Sequence, residues 1–127
     1  MKISVFLIFS SLLFIYGCED QKEVDQKKYD NRINQVITQE NIRLQKENAV
    51  ADDEIQKRED TGIVVYSNGE VIELMYEIDS SNKKIEVLYV FNKKKGEYKW
   101  VPVHSAKYNK ITGKLKDDEY IENLGVK

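Results

Sequence analysis

The pattern of the chain changes at Thr61-Gly62, and this change constrains the fold more than any other feature. From Glu19 to Asp60 there is no glycine and no proline, and polar residues dominate, several of them good helix formers. After Gly62 the residues become β-branched and aromatic, and they alternate between apolar and polar as strands with one buried face do. We therefore expect an α+β chain, with a polar helical segment at residues 27–60 and an antiparallel β domain at residues 61–127.

The pair Asn68-Gly69 predicts the first hairpin of the β domain. It lies between two apolar runs, and a type I′ turn needs two residues that accept a positive φ. The predicted register pairs Tyr66 with Val71, Val65 with Ile72 and Ile63 with Leu74. Alternate residues of the second run, Val71 to Ile78, should face the core.

Two further strands complete an antiparallel meander of about four strands. The third should direct one face to the core, with Ile85, Val87, Tyr89 and Phe91. The fourth is predicted at residues 97–104, and Pro102 places it at an edge or gives it a bulge, because proline cannot donate to a ladder.

The signals after Ser105 are weaker. The other face of the sheet carries Leu88 and Val90, so the polar helix or the C-terminal tail should partly cover it. Thr112-Gly113 could turn a further short hairpin, and a short final helix could start at Asp117.

The polar segment has one short apolar stripe at helical spacing, formed by Tyr29, Ile33, Val36 and Ile37. A seam at seven-residue spacing fails because Glu40 occupies its second position, so a coiled coil is not favoured. Two interpretations remain open. The helix is either a stalk that holds the β domain off a membrane, or it packs its stripe on the β domain.

A short apolar run lies at the start of the sequence. Lys2 precedes it, it extends from Ile3 to Tyr16, and it ends at Gly17-Cys18 before the acidic pair Glu19-Asp20. It is shorter than the roughly twenty residues that a membrane-spanning helix needs. A positive start, a short apolar stretch and a small-residue cleavage site mark a secretory signal. The region resembles the type II signal peptide of bacterial lipoproteins, with the lipobox Ile15-Tyr16-Gly17-Cys18.

This resemblance covers the first eighteen residues only, and Tyr16 departs from it because a smaller residue is usual there. It implies that residues 1–17 are removed as a signal peptide and that Cys18 carries a diacylglyceryl thioether and an N-acyl chain. Residues 18–26 would be the lipidated cysteine and a flexible tether. The protein would then be anchored by lipid, extracytoplasmically, in the cell membrane or the outer membrane. Cys18 is the only cysteine, so neither a disulfide nor a cofactor other than this lipid is expected.

No set of residues in the sequence points to catalysis or to a metal. His104 is the only histidine, and neither a proton-transfer partner nor further ligands can be placed beside it. The motifs of a nucleophile elbow and of a phosphate-binding glycine loop are missing. The formal charge of −2 and the expected export disfavour nucleic acid. We expect no catalytic residue, no metal site and no enzyme.

A cluster of aromatic and basic residues is the best candidate for a contact surface. Aromatic patches with basic rims are typical of such surfaces, and the candidate binding residues are Lys93, Lys94, Lys95, Tyr98 and Trp100. The alternative is that the aromatic residues are core and that the lysines only keep strand edges soluble.

The expected function is that of a membrane-anchored, non-enzymatic protein-binding module of the inhibitor, immunity or exclusion type. Its partner would be an envelope protein. The alternative is a structural accessory lipoprotein of an envelope assembly, in which the helical segment would be the working part. The sequence leaves the oligomeric state open.

Overall fold

A computed structural model describes residues 21–47, 56–78 and 82–125, and in it one long helix lies across an antiparallel sheet. The leader, the lipobox and Cys18 lie outside the described residues. The α+β class is as expected. The elements in chain order are α1 (Gln21–Lys46), β1 (Gly62–Tyr66), β2 (Val71–Ile78), β3 (Lys83–Asn92), β4 (Glu97–Val101), α2 (Ala106–Thr112) and β5 (Tyr120–Glu122).

The first hairpin has the predicted register, in which Tyr66 pairs with Val71 and Ile63 with Leu74. Its turn is closed by the Glu70 amide, which donates to the Ser67 carbonyl at 3.0 Å. Asn68 and Gly69 have φ angles of 57° and 86°, which suit the type I′ turn that the sequence predicts. A Cβ at Gly69 would also lie 2.7 Å from the Arg32 side chain, which would have to shift, so both the positive φ and the space favour glycine there.

The main core lies between α1 and one face of the sheet. The helix buries Tyr29, Ile33, Val36, Ile37 and Leu44 against this face. The alternation predicted for β2 is confirmed. The predicted face of β3 also lies towards this core, and Ile85 and Phe91 at the two ends of that face are half-buried. The sheet side of this core includes Ile72, Leu74, Tyr76, Ile78, Val87 and Tyr89. Of the two interpretations of the helix, the structure supports packing on the β domain, and the free stalk was wrong.

The bounds of α1 differ from those predicted. It begins at Gln21, inside the predicted tether, and it ends at Lys46, whereas the helical segment was expected to extend to residue 60. Residues 58–60 form only a single 3-10 turn. The helix also buries Glu40 completely, at the position where the heptad pattern fails.

The described part of the sheet has five strands in the order β4-β3-β2-β1-β5, rather than a meander of about four. Tyr120–Glu122 is the fifth strand, and it pairs antiparallel with β1. The final helix predicted from Asp117 was therefore wrong. Arg58 holds this strand in place, since its guanidinium lies 2.8 Å from Glu122 and 2.7 Å from Asp30 of α1.

The region around Thr112-Gly113 is helical, so the further hairpin predicted there was also wrong. Ser105 caps α2, because its side chain accepts a hydrogen bond from the Tyr108 amide at 3.1 Å. Three residues of this C-terminal region, Tyr108, Ile111 and Leu115, pack against Val71, Leu88 and Val101 on the second face of the sheet. The expectation that the C-terminal tail covers this face is confirmed.

Strand β4 is an edge strand, as Pro102 predicts. It ends at Val101, so the predicted extension to His104 was too long. His104 has a φ of 66° and is exposed, with its ring 6.2 Å from that of Tyr108.

Candidate functional site

A groove lies between α1 and the edge strand β4, and we call it the α1–β4 groove. Its volume is about 240 Å³, and it is lined by Gln39, Ile42, Arg43, Lys46, Tyr89, Tyr98, Lys99 and Trp100. Ile42 and Trp100 are the two large apolar side chains at its rim that remain substantially exposed, at 46% and 38%. Tryptophan is among the residues enriched at protein–protein interfaces relative to the rest of the surface.

Arg43 fixes the position of Trp100 in this groove. Its guanidinium carbon lies 4.5 Å from the centre of the Trp100 ring, in a cation–π contact. The same guanidinium makes a two-pronged contact with Glu40, at 2.6 and 2.9 Å. It also donates to Glu47 at 2.9 Å. The hydrogen bonds to Glu40 raise the pKa of Arg43 above its ordinary value. An arginine side chain is charged even at its ordinary pKa, so the charge beside Trp100 is permanent.

Glu40 connects this groove to the core. Its carboxylate is fully buried and accepts hydrogen bonds from the Tyr76 hydroxyl at 2.5 Å and the Tyr89 hydroxyl at 2.8 Å. Burial is the main cause that raises the pKa of both tyrosines, and the nearby carboxylate adds to it. The hydroxyls therefore remain donors, and the helix is tied to β2 and β3 at one fixed position.

The structure places the predicted binding residues in different environments. Lys93, Lys94 and Lys95 are exposed in the turn between β3 and β4, and the Lys93 ammonium lies 2.9 Å from Glu70. Trp100 lies towards the far end of β4 from that turn.

Tyr98 belongs to the core, so it is not an exposed contact residue. It is 3% exposed, and its hydroxyl donates to the Gly69 carbonyl. Arg32 donates to this hydroxyl as well, at 3.4 Å. Burial raises the pKa of Tyr98, so the hydroxyl remains protonated and continues to donate.

Ile42 and Arg43 are among the groove residues that the sequence reasoning missed. Ile42 lies off the apolar stripe of α1, so nothing in the helical spacing connects it with β4. Arg43 and Glu40 are three residues apart, a spacing that allows contact on a helix. That spacing was the one available signal, and it does not reveal that Glu40 is buried.

A pair of carboxyl groups lies on the second face of the sheet. Glu73 of β2 is half-buried, and burial together with the neighbouring charge of Glu86 raises its pKa to about 7. A carboxyl group of this kind titrates near neutral pH.

Across residues 21–47, 56–78 and 82–125, no three histidine, cysteine, aspartate or glutamate side chains converge as a metal site would need. None of the helices in those ranges has the length and apolar character to cross a membrane.

No protein-family model matches the chain, and no match was found among curated proteins or solved structures. The function is therefore inferred from the site itself.

Proposed function

We propose that this chain is a lipid-anchored, extracytoplasmic protein of the bacterial envelope that works by binding another protein, as an inhibitor, immunity or exclusion factor does. The leader and the lipobox ending at Cys18 support the anchor. Loss of residues 1–17 and acylation of Cys18 would leave the folded domain tethered at a membrane surface.

The observation that carries the binding function is the exposed indole of Trp100, held against Arg43 at the rim of the α1–β4 groove. Tryptophan and arginine are enriched among the residues that contribute most to protein–protein binding. A side chain that is already ordered loses less conformational entropy on binding. The surface is therefore suited to binding, and the described residues suggest no chemical step for it.

The alternative, an accessory of an envelope assembly that works through its helix, is less well supported. The inward face of α1 is occupied, since Ile33 and Val36 are fully buried on the sheet. A variant lacking residues 31–57 would lose this part of the core. Deleting the helix therefore cannot separate the two functions, and a surface probe is needed.

Site-specific photo-cross-linking in the host bacterium tests the binding function. The photoreactive residue p-benzoylphenylalanine is placed at position 100 of the full-length chain, where it keeps a large aromatic side chain in place of the indole. The matched control carries it at Ile121, which is 39% exposed on the opposite edge strand. We expect one covalent adduct with an envelope protein from position 100 and none from position 121. Equal labelling from both positions, or no adduct from position 100, would contradict the proposal.

The anchor is tested separately by Cys18→Ser. We expect the wild-type chain to incorporate radiolabelled palmitate and to sediment with membranes, and the variant to do neither. A variant that still sediments fully with membranes would show that lipid on Cys18 is not the anchor.

A further inference from the structure

We propose that the open edge of β4 binds an extended segment of the partner, in which acidic and apolar residues alternate, as an added strand of the sheet. This inference rests on the proposed binding function and names the chemistry of the partner. It combines three observations: the backbone groups of β4 that no other described strand pairs with, the side chains on its two faces, and its charge.

The backbone of β4 offers hydrogen-bonding groups at the edge. The Phe91 amide of β3 donates to the Glu70 carbonyl at 2.8 Å, so the backbone groups of Phe91 point towards β2. Backbone directions alternate along a strand, so Asn92, Val90 and Leu88 point towards β4 instead. Their partners in the register are Glu97, Lys99 and Val101.

It follows that the backbone groups of Tyr98 and Trp100 point away from β3, off the edge of the sheet. No other strand of the described residues lies beside them. Two residues with one N–H and one C=O each can make up to four hydrogen bonds with an incoming strand, which is the way that sheet edges bind peptides.

The side chains on the two faces of β4 determine what this strand should carry. The Trp100 side chain points towards α1, where Ile42 lies across the groove. Lys99 is exposed on the opposite face. Neighbouring residues of adjacent strands share a face. An incoming strand with apolar residues on the α1 side and acidic residues on the other side would match both.

The charge of this edge favours an acidic partner over a second copy of the chain. Residues 93–101 contain four lysines and one glutamate. Antiparallel pairing of two copies of β4 about its centre would place the two Lys99 residues opposite each other, and like charges opposite each other are destabilising. The other edge strand, β5, has three residues and carries Glu122, so an acidic segment has less reason to bind there.

Peptide binding to the full-length chain in detergent tests the charge preference. The probes are two synthetic heptapeptides, one with alternating leucine and glutamate and one with alternating leucine and lysine. Trp100 is the only tryptophan, so its fluorescence reports directly on the site. We expect a saturable blue shift with the acidic peptide, weakened by salt, and affinity for the basic peptide at least roughly tenfold lower. Equal affinity for both peptides would overturn the proposal.

Backbone pairing is tested with N-methylated forms of the acidic peptide. One form is methylated on the leucine amides and the other on the glutamate amides. Only alternate amides of an added strand face the sheet, so one form should bind roughly tenfold more weakly or worse, and the other should retain its affinity. Equal affinity of the two forms would exclude strand addition.

The variant Lys99→Glu should lower affinity for the acidic peptide and raise it for the basic one. Ile121→Ala, on the other edge, is the matched control and should change neither. If the chain forms a concentration-dependent dimer in sedimentation that Lys99→Glu alters, and the acidic peptide does not bind, a second copy occupies the edge and the proposal fails.

The two proposals can fail separately. An adduct from position 100 without peptide binding would leave the binding function standing and refute the acidic strand. Without an adduct from position 100, the binding function fails whatever the peptides do.

Discussion

The carboxylate of Glu40 lies 2.8 Å from the hydroxyl of Tyr89, fully buried between the helix and the sheet. A buried charge is costly unless it is paired and hydrogen-bonded. Here both conditions are met, because Arg43 pairs with the carboxylate and Tyr76 donates to it as well. The network therefore sets where α1 sits on the sheet, and through Arg43 it sets where Trp100 is held.

Removing the charge of Glu40 should destabilise the fold strongly. Glu40→Gln leaves the half-buried Arg43 without its main counter-ion and weakens the acceptors of two buried hydroxyls. Breaking a buried ion pair by changing one partner costs about 3–5 kcal/mol. We expect a loss of about 3 kcal/mol in the free energy of unfolding, measured by urea denaturation.

The matched control for this substitution is Glu47→Gln. Glu47 also contacts Arg43, but its side chain is 49% exposed. Exposed ion pairs contribute little, so the loss should stay below about 1 kcal/mol. Similar losses from the two substitutions would show that Glu40 is not a buried charge in solution.

The packing of α1 on the sheet is tested by two isoleucines of that helix. Ile33 is fully buried, and Ile33→Ala should cost about 3 kcal/mol, because it removes apolar contacts and leaves a cavity. Ile42 is 46% exposed, and Ile42→Ala should cost less than about 0.5 kcal/mol. Equal losses in urea denaturation would indicate that the helix is free of the sheet.

The sequence was sufficient to predict the first hairpin and its register, because local and tertiary preferences agree there. Asn68 and Gly69 favour the turn, and the alternation from Val71 onward fixes which face is buried. Glu40 could not be predicted as a buried residue, since a glutamate in a polar helix is normally solvated and nothing local shows that two tyrosines of distant strands reach it.

The predictions for the C-terminal region were wrong for a related reason. Helix α2 is too short to be stable from its own propensity, and the packing of Tyr108 and Ile111 on the sheet supports it. Strand β5 has three residues, and it exists because β1 and Arg58 hold it. Both elements depend on contacts between residues far apart in sequence, which periodicity cannot reveal. The same holds for Tyr98, whose spacing from Trp100 places both on one face but does not show which of them the helix covers.

The raised pKa of Glu73 should make stability depend on pH. Burial and the charge of Glu86 raise it from 4.5 to about 7, so between these values the folded protein binds more protons than the unfolded chain. Stability then falls as pH rises through this range, and the loss is complete above about pH 7. Because part of the carboxylate is in water, we expect a loss of about 1 kcal/mol, less than the pKa difference alone would give.

The variant Glu73→Gln isolates this contribution, since glutamine is uncharged at every pH. The variant should be more stable than the wild type by about 1 kcal/mol above about pH 7, and the difference should vanish below about pH 4.5. Urea denaturation at several pH values measures both curves. A constant difference across the range would contradict the assigned pKa.

Substitutions at Tyr98 and Trp100 should affect different properties, although the two residues lie on the same face of β4. The first should change stability and the second should change binding. Tyr98→Phe removes the hydroxyl that donates to the Gly69 carbonyl. Arg32 remains as a donor to that carbonyl at 3.4 Å, so the loss should be about 1 kcal/mol, the net contribution of one hydrogen bond. Since Tyr98 is buried, the yield of the cross-linked adduct from position 100 should remain unchanged.

Trp100→Ala should lower the free energy of unfolding by less than about 1 kcal/mol, because the indole is partly exposed and its contact with Arg43 is a surface one. It should nevertheless reduce affinity for the acidic peptide at least roughly tenfold, as the loss of a central aromatic residue does in interfaces. Urea denaturation measures the stability of both variants, cross-linking measures the adduct yield, and calorimetric titration measures the peptide affinity. A Trp100→Ala protein that binds the peptide as well as the wild type would remove Trp100 from the contact surface.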